Sequence, residues 1–347
     1  MIHVGIAGIG FMGMTHYNAY QKVRGAKVRA LCETDEKRLA GDWRSIQGNF
    51  GPRGTMVDLS GIDRHRELAA MLADPKLDLI DICLPPQMHA DAAVAALKAG
   101  KHVFCEKPIA LNPKDAQRMV KAADQAGRLL MIGHVLPFFP EYRFAYQAVT
   151  SGRYGTLLGG HFKRIISDPL WLPHFYDPKA CGGPMIDLHV HDAHFIRVLF
   201  GMPRAVQSVG AMRGAVVERF TTQFLFDNKD LVVTAASGVI NQQGRPFTHG
   251  YEIHLEKATL LYDAATIGKD WVVGYPVTAL TQDGKVVRPK IEGADPTEAF
   301  VEEIKEVVRC VRAGERSALL AGALASDALV LCEKQTESVK RGRAVKI

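Results

Sequence analysis

A six-residue glycine pattern near the N-terminus constrains the fold more than any other feature. Gly8-Ile9-Gly10-Phe11-Met12-Gly13 closes the apolar run HVGIAG (3–8) and opens a helix-like stretch. The spacing G-x-G-x-x-G alone recurs by chance. Between a strand and a helix it asks for a tight turn at Gly8, a backbone that a pyrophosphate can approach at Gly10, and a helix packed close to its strand at Gly13. The helix start then offers unbonded N–H groups and about half a positive charge to phosphate oxygens. Ile9, Phe11 and Met12 lend their backbone to the same cradle. Glu33 ends the next strand, twenty residues beyond Gly13. A carboxylate there accepts hydrogen bonds from ribose hydroxyls, whereas a 2′-phosphate would meet like charge at a cost of about 1–4 kcal/mol. The spacing therefore predicts NAD in preference to NADP, with Lys37 and Arg38 as the nearby cations that argue the other way.

The pattern around this loop agrees with it. Apolar runs KVRALC (27–32), LDLIDICL (77–84), HVFCEK (102–107) and RLLMIGH (128–134) alternate with helical stretches at 87–100 and 112–127, each ending in glycine. Strands alternating with helices imply a parallel sheet covered on both faces. The expectation is an α/β chain with a Rossmann dinucleotide-binding domain over 1–132. The second half changes character. A helix is expected over 185–200, followed by short alternating runs with turn signals, an antiparallel meander from AVQSVGAM to ATLLYDA, and two long helices at 296–313 and 321–341. This makes 133–347 an α+β half.

Composition excludes several classes. The longest apolar runs fall short of the ~18 residues a membrane span needs. A net charge of +6 is spread along the chain without a basic, aromatic-interleaved block, which speaks against nucleic acid and suits an anionic small molecule. Six scattered cysteines without a C-x-x-C pair read as reduced thiols. With no signal-peptide pattern at the start, the expected location is cytoplasmic.

The stretch CGGPMIDLHVHDAHF (181–195) sets a second question, since Asp187, His189, His191, Asp192 and His194 crowd into eight residues. Capping, metal binding and proton transfer all use such residues. In a helix, Asp187, His191 and His194 share one face; in a strand, Asp187, His189 and His191 do. A metal needs three or four converging ligands, and no metal is expected here. Lys107 adds a further candidate, standing at the carboxyl end of the fifth strand, where ligands of open α/β sheets bind. A partly desolvated ammonium there can exchange protons near neutrality.

Taken together, the glycine loop, Glu33, PPQMH (85–89), AGKHVFCEKPIA (99–110) and GGPMIDLHVHD (182–192) resemble the glucose–fructose oxidoreductase / inositol dehydrogenase / rhizopine catabolism (Gfo/Idh/MocA) family along nearly the whole chain. The resemblance implies an NAD(P)-dependent oxidoreductase acting on a hydroxyl carbon of a sugar, polyol or sugar derivative, and a cis peptide before Pro108. It implies that 133–347 is an α+β domain with a large, mostly antiparallel open sheet that binds substrate, and such a sheet is expected to pair in a homodimer or homotetramer because large apolar sheet faces are rare on monomers. It implies Lys107, Asp187 and His191 as catalytic groups, with His191 the base on the substrate hydroxyl. Cofactor contacts are implied from Gly8 to Gly13, Glu33, Leu84, Pro85, His89, Glu106 and Lys107. Substrate contacts are implied from Lys107, Trp171, His174, Asp187, His191 and His194, with Tyr176 beside them. The chain departs from the family at His194, where relatives carry a second Asp, and at Pro137, where they often carry Arg. Two other readings share the fold: a glycosidase or lyase that uses NAD transiently, and a cofactor-binding sensor without catalysis. The Tyr-x-x-x-Lys pair of short-chain dehydrogenases is absent.

Overall fold

A computed structural model of the chain describes residues 1–48, 50–291 and 295–347. Contacts divide it into two units, Met1–Phe139 with the later stretch ending at Ser326, and the stretch beginning at Pro140 with Asp327–Ile347. The sequence had suggested one cut after residue 132. The chain instead returns to its first unit late, because an amphipathic helix near the C-terminus finds its apolar partners there.

The first unit runs β1 (Ile2–Ala7), α1 (Phe11–Tyr20), β2 (Ala26–Cys32), α2 (Glu36–Leu39), β3 (Asp63–His65), α3 (Leu68–Leu72), β4 (Leu79–Ile82), α4 (His89–Lys98), β5 (His102–Glu106), α5 (Pro113–Ala126) and β6 (Leu130–Gly133). The strands form one sheet in the order β3-β2-β1-β4-β5-β6, parallel throughout. β4 is buried at every residue and β5 at all but its first, as a sheet covered on both faces requires. α5 begins on the Asn112 side-chain cap and ends on Gly127 in the left-handed region, which accounts for the glycine signal read from the sequence. The edge strand β3 escaped the sequence reading: three residues, two of them exposed, carry no periodicity.

The second unit opens with α6 (Pro140–Thr150) and continues through β7 (Leu157–Ser167), α7 (Val190–Phe200), β8 (Ala205–Arg213), β9 (Val216–Leu225), β10 (Val232–Ile240), β11 (Thr248–Leu255), β12 (Ala258–Ile267), β13 (Asp270–Thr281) and β14 (Val286–Val287). The chain then forms α8 (Pro296–Ala313), α9 (Gly322–Arg341) and β15 (Val345–Lys346). The described strands of this sheet follow the order β14-β13-β12-β11-β7-β10-β9-β8-β15. The expected meander is interrupted, because β7 inserts between β11 and β10 and pairs in parallel with β10. Every other pairing is antiparallel. β12 alternates buried and half-buried residues along most of its length, the mark of a sheet with one covered face. No helix among the described residues is long and apolar enough to cross a membrane.

The helix expected over 185–200 is not uniform. Pro184–Leu188 form a π turn and α7 begins only at Val190. The His189 N–H donates five residues back, to Pro184 O at 2.8 Å, while the Ala193 N–H resumes ordinary four-residue spacing to His189 O. A π turn inserts an extra residue into the helical ladder, so the single face predicted for Asp187, His191 and His194 is not preserved: the first two are half-buried and His194 is fully buried.

Candidate active site

The glycine loop meets its expectations one residue at a time. Gly8 has φ +93°, and a Cβ there would lie 2.6 Å from the Cys83 carbonyl oxygen. A Cβ on Gly13 would lie 2.0 Å from Gly8 O. Both positions need glycine for the protein's own packing. A Cβ on Gly10 would meet no protein atom within 4 Å, so that side of the backbone is open to an incoming group. α1 starts at this point with no side-chain cap and no acid in its first turn, leaving N–H groups for an anion. Ile9 turns its side chain into the core, while Phe11 and Met12 are half-buried.

Glu33 stands beside this loop. Its Oε2 accepts from the Ile9 N–H at 2.8 Å, and Oε1 accepts from Thr34 N–H at 2.7 Å and Asp35 N–H at 3.1 Å. These bonds fix a carboxylate next to the phosphate cradle, where a ribose would follow. The loop and Glu33 together fit NAD. Arg38 also reaches the loop, with a guanidinium nitrogen 3.4 Å from Ile9 O.

At the ends of β4 and β5, Leu84 is half-buried and Pro85 exposed, whereas His89 is 1% exposed. The His89 ring spans two loops, with Nδ1 2.8 Å from Pro108 O and Nε2 2.8 Å from Leu84 O. Burial pushes its pKa down against the pull of the two carbonyls. His89 was expected at the cofactor; its buried ring braces the backbone there. Glu106 was expected there too, yet its side chain is buried in the protein, where its Oε2 accepts from the Lys107 N–H at 3.0 Å. Lys107 itself is half-buried, and its bond to Pro108 is cis, as the resemblance implied. Pro137 lies buried in a short 3-10 turn, Leu136–Phe138.

In the second unit, burial sorts the 187–194 cluster. Asp192 is 1% exposed and holds the Arg164 guanidinium bidentately, at 2.6 and 3.1 Å. Burial alone would lower the arginine's pKa, but Asp192 and Tyr142 raise it, so the guanidinium stays charged. His189 is fully buried, edge-on to Phe220 at 4.8 Å. The amide nitrogen of Gln335 donates to His189 Nε2 at 3.0 Å and lies 2.9 Å from Thr222 Oγ1, which meets Ser208 Oγ at 2.7 Å. Accepting at Nε2 assigns the ring proton to Nδ1. Burial brings the His189 pKa to about 4. These two residues therefore serve the scaffold. Asp187 and His191 remain partly accessible, at the junction where the π turn meets α7.

The segment between β7 and the π turn carries Trp171, which is 71% exposed, and His174, also exposed. Its base is pinned by Asp168, which accepts from Tyr176 Oη at 2.8 Å and from Arg213 at 2.6 Å. The Arg213 guanidinium stacks 4.0 Å above the Tyr176 ring. Tyr176 is thus an anchor of this segment, and Trp171 and His174 are its exposed side chains.

One cluster escaped the sequence reading. His16 on α1, Asp81 on β4 and Cys83 just beyond it bring a nitrogen, an oxygen and a sulfur within 4.8 Å of one another. The signal was Asp81 within the otherwise apolar run LIDICL (79–84), since a buried charge requires a partner.

A parallel sheet in the order 3-2-1-4-5-6 with an open glycine loop after its first strand defines a dinucleotide-binding unit. Residues 2–134 match the family model described as "Oxidoreductase family, NAD-binding Rossmann fold", and residues 142–261 match the "GFO/IDH/MocA C-terminal domain". The chain belongs to this Gfo/Idh/MocA family of NAD-binding oxidoreductases. It is 26% identical to the myo-inositol 2-dehydrogenase of Thermotoga maritima over 100% of this chain and 98% of that protein. It is 28% identical to the 2,7-anhydro-N-acetylneuraminate hydratase of Escherichia coli over 60% of this chain and 53% of that protein. The fold is shared with a levoglucosan dehydrogenase solved with NADH and levoglucosan, with a TM-score of 0.80 at 19% identity and coverage of 100% and 99%.

Proposed function

We propose that the chain transfers hydride between NAD and a hydroxyl-bearing carbon of a sugar, polyol or sugar derivative, with His191, Asp187 and Lys107 as its chemical groups. The observation that carries this reading is the sorting of the histidine cluster. Of five ionisable residues in 187–194, only Asp187 and His191 keep partial access, while the others are buried.

The Gly8–Gly13 backbone would hold the pyrophosphate of NAD, and Glu33 the adenosine ribose hydroxyls. When bound, the nicotinamide supplies the carbon that accepts or donates hydride. Removing hydride from a C–OH carbon requires the hydroxyl proton to leave as well. His191 takes that proton at a ring nitrogen, since imidazole titrates near pH 6.5 and is a competent acceptor at neutral pH. Asp187 orients the ring and balances its charge, and the Lys107 ammonium is the cationic group that the first unit contributes. The buried Arg164–Asp192 pair ties α7, which carries His191, to β7. Trp171 and His174 would contact the far end of the substrate. His194 is enclosed, so a direct substrate contact needs a rearrangement around it.

The reading extends to assembly and location. Trp271, Val272, Val273 and Tyr275 expose apolar surface along β13, which suits a homodimer or homotetramer through the sheet. The six free cysteines suit the cytoplasm.

The test is mass spectrometry of the freshly purified, denatured protein for NAD, followed by NADH-forming assays with myo-inositol and levoglucosan as first probes within a polyol panel. NADH produced in step with polyol consumption supports a dehydrogenase. The relative named as a hydratase favours a second reading, in which a sugar derivative is consumed with no net change in NAD. Absence of both, with NAD bound, would leave a sensor.

A further inference from the structure

Beneath the glycine loop, the first unit buries a set of ionisable groups that the reaction above does not use. His16 is fully buried, with Nδ1 3.0 Å from Asp81 Oδ2 and Nε2 3.0 Å from Glu106 Oε1. The Cys83 sulfur lies 3.4 Å from both His16 Nδ1 and Asp81 Oδ1. Glu303, on α8, is 0% exposed, and neither of its carboxylate oxygens has a hydrogen-bond partner among the described residues. The groups facing His16 are therefore Asp81 and Cys83 from β4 and its end, Glu106 from β5, Glu303 from α8 and the Tyr20 phenol from its own helix.

Three buried carboxyl groups around one imidazole cannot all be charged without a partner. Asp81 accepts from His16 Nδ1, and the Glu106 carboxyl lies 3.0 Å from Nε2 without hydrogen-bond geometry; carboxyl groups on both sides of the ring favour the imidazolium. Burial works against that charge, but Asp81 and Cys83 outweigh it and lift the His16 pKa well above its ordinary value. Glu303 lacks such a bridge, and its burial, with Glu106 and Asp81 nearby, raises its pKa so that it keeps its proton.

The array has an output. Glu106 turns one oxygen to His16 and the other to the backbone N–H of Lys107, at 3.0 Å. Gly133 makes room for this carboxylate, since a Cβ there would come within 3.1 Å of Glu106 Oε1. On the other side, His89 holds Pro108 O. The backbone carrying Lys107 is thus gripped both before and after that residue.

We propose that His16 is a positioning residue for Lys107, a buried imidazolium that fixes the Glu106 carboxylate and through it the backbone from which Lys107 projects. The proposal rests on the reading of Lys107 as a chemical group, and its first readouts need no substrate. In protein labelled with 15N in its histidine rings, both nitrogens of His16 carry protons from pH 6 to pH 8. In His16→Gln, hydrogen exchange at the Lys107 amide speeds up ~10-fold, as expected for loss of the ion-pair partner that confines Glu106, while the NADH dissociation constant stays within ~3-fold. Glu106→Gln, which keeps the size of the side chain, gives the same acceleration if His16→Gln folds poorly. Turnover with the active probe polyol falls in both variants chiefly through kcat. A His16 ring with one proton at pH 7, or unchanged Lys107 exchange in both variants, overturns the proposal. So does one equivalent of zinc in the purified protein that is lost in Cys83→Ser, because the cluster would then be a metal site. Full turnover in Lys107→Ala, with Lys107 exchange still dependent on His16, would refute the role of Lys107 and leave the positioning of its backbone intact.

Discussion

The molecule contains two concentrations of histidine and acid, and they are built in opposite ways. Residues 187–194 are adjacent in sequence, yet the fold separates them into buried supports, Asp192 and His189, and half-buried groups, Asp187 and His191. His16, Asp81, Glu106 and Glu303 are scattered over nearly three hundred positions, yet the sheet and α8 gather them into one buried array. Proximity in sequence reports local supply. Proximity in space, together with burial, decides what a side chain can do.

The sharpest way to break the comparison is to remove one aspartate from each cluster. Asp192→Ala strands the Arg164 charge, and Asp81→Ala strands His16 between fewer partners. Each should cost about 3–5 kcal/mol in denaturant-induced unfolding. A loss below about 1 kcal/mol in either would show that its charge is not confined.

Acid and base should then separate the two. The folded His189 has a pKa of about 4 against 6.5, so the folded state binds fewer protons there. Stability is full above pH 6.5 and falls toward pH 4, by about 3 kcal/mol at 1.36 kcal/mol per unit. The signs reverse in the other cluster. Glu303 and His16 both hold protons more tightly when folded. Their contributions are present at low pH and fade as pH rises, from about 4.5 upward for Glu303 and above 6.5 for His16. Melting temperatures measured from pH 4 to pH 9 should therefore lose their acid decline in His189→Asn and part of their alkaline decline in Glu303→Gln.

Chemistry provides a third separation. His191→Ala should reduce turnover by ~100-fold or more, equivalent to about 2.7 kcal/mol, with NADH affinity retained. Near-normal turnover would move the proton acceptor elsewhere. A fourth, smaller effect lies outside both clusters. Glu33→Ala should weaken NAD about tenfold by titration and narrow its advantage over NADP, through loss of a charge-assisted acceptor for the ribose. Tighter NADP than NAD in the unaltered protein would assign control of the ribose site to Arg38.

Much of the fold was legible because glycine and periodicity report backbone geometry directly. Gly8 and Gly13 are required by contacts of 2.6 and 2.0 Å that no side chain could survive, and both long C-terminal helices lie within a residue of their expected ends. β7 was missed because LLGGHFKRIIS carries two glycines and no clean alternation. β13 was missed because its first seven residues are exposed, so no face is selected for apolarity. Within the candidate site, residue types were readable but roles were not. Nothing in HVHD says which imidazole will be enclosed; the π turn at 184–188 sets that, and its single inserted residue has no compositional signature.

The late return of α8 has a consequence for how the protein is made. Phe300, Ile304, Val307 and Val308 share a core with Val4, Ile6, Leu31 and Phe104. A ribosome delivers the six parallel strands long before it delivers these side chains. Until then the nascent first unit carries an uncovered apolar flank and an array of acids around His16 that is one member short. An isolated fragment ending near residue 150 would preserve that unfinished state, so holdase binding and aggregation of such a fragment would report the missing helix, while adding α8 in trans as a peptide should reverse both.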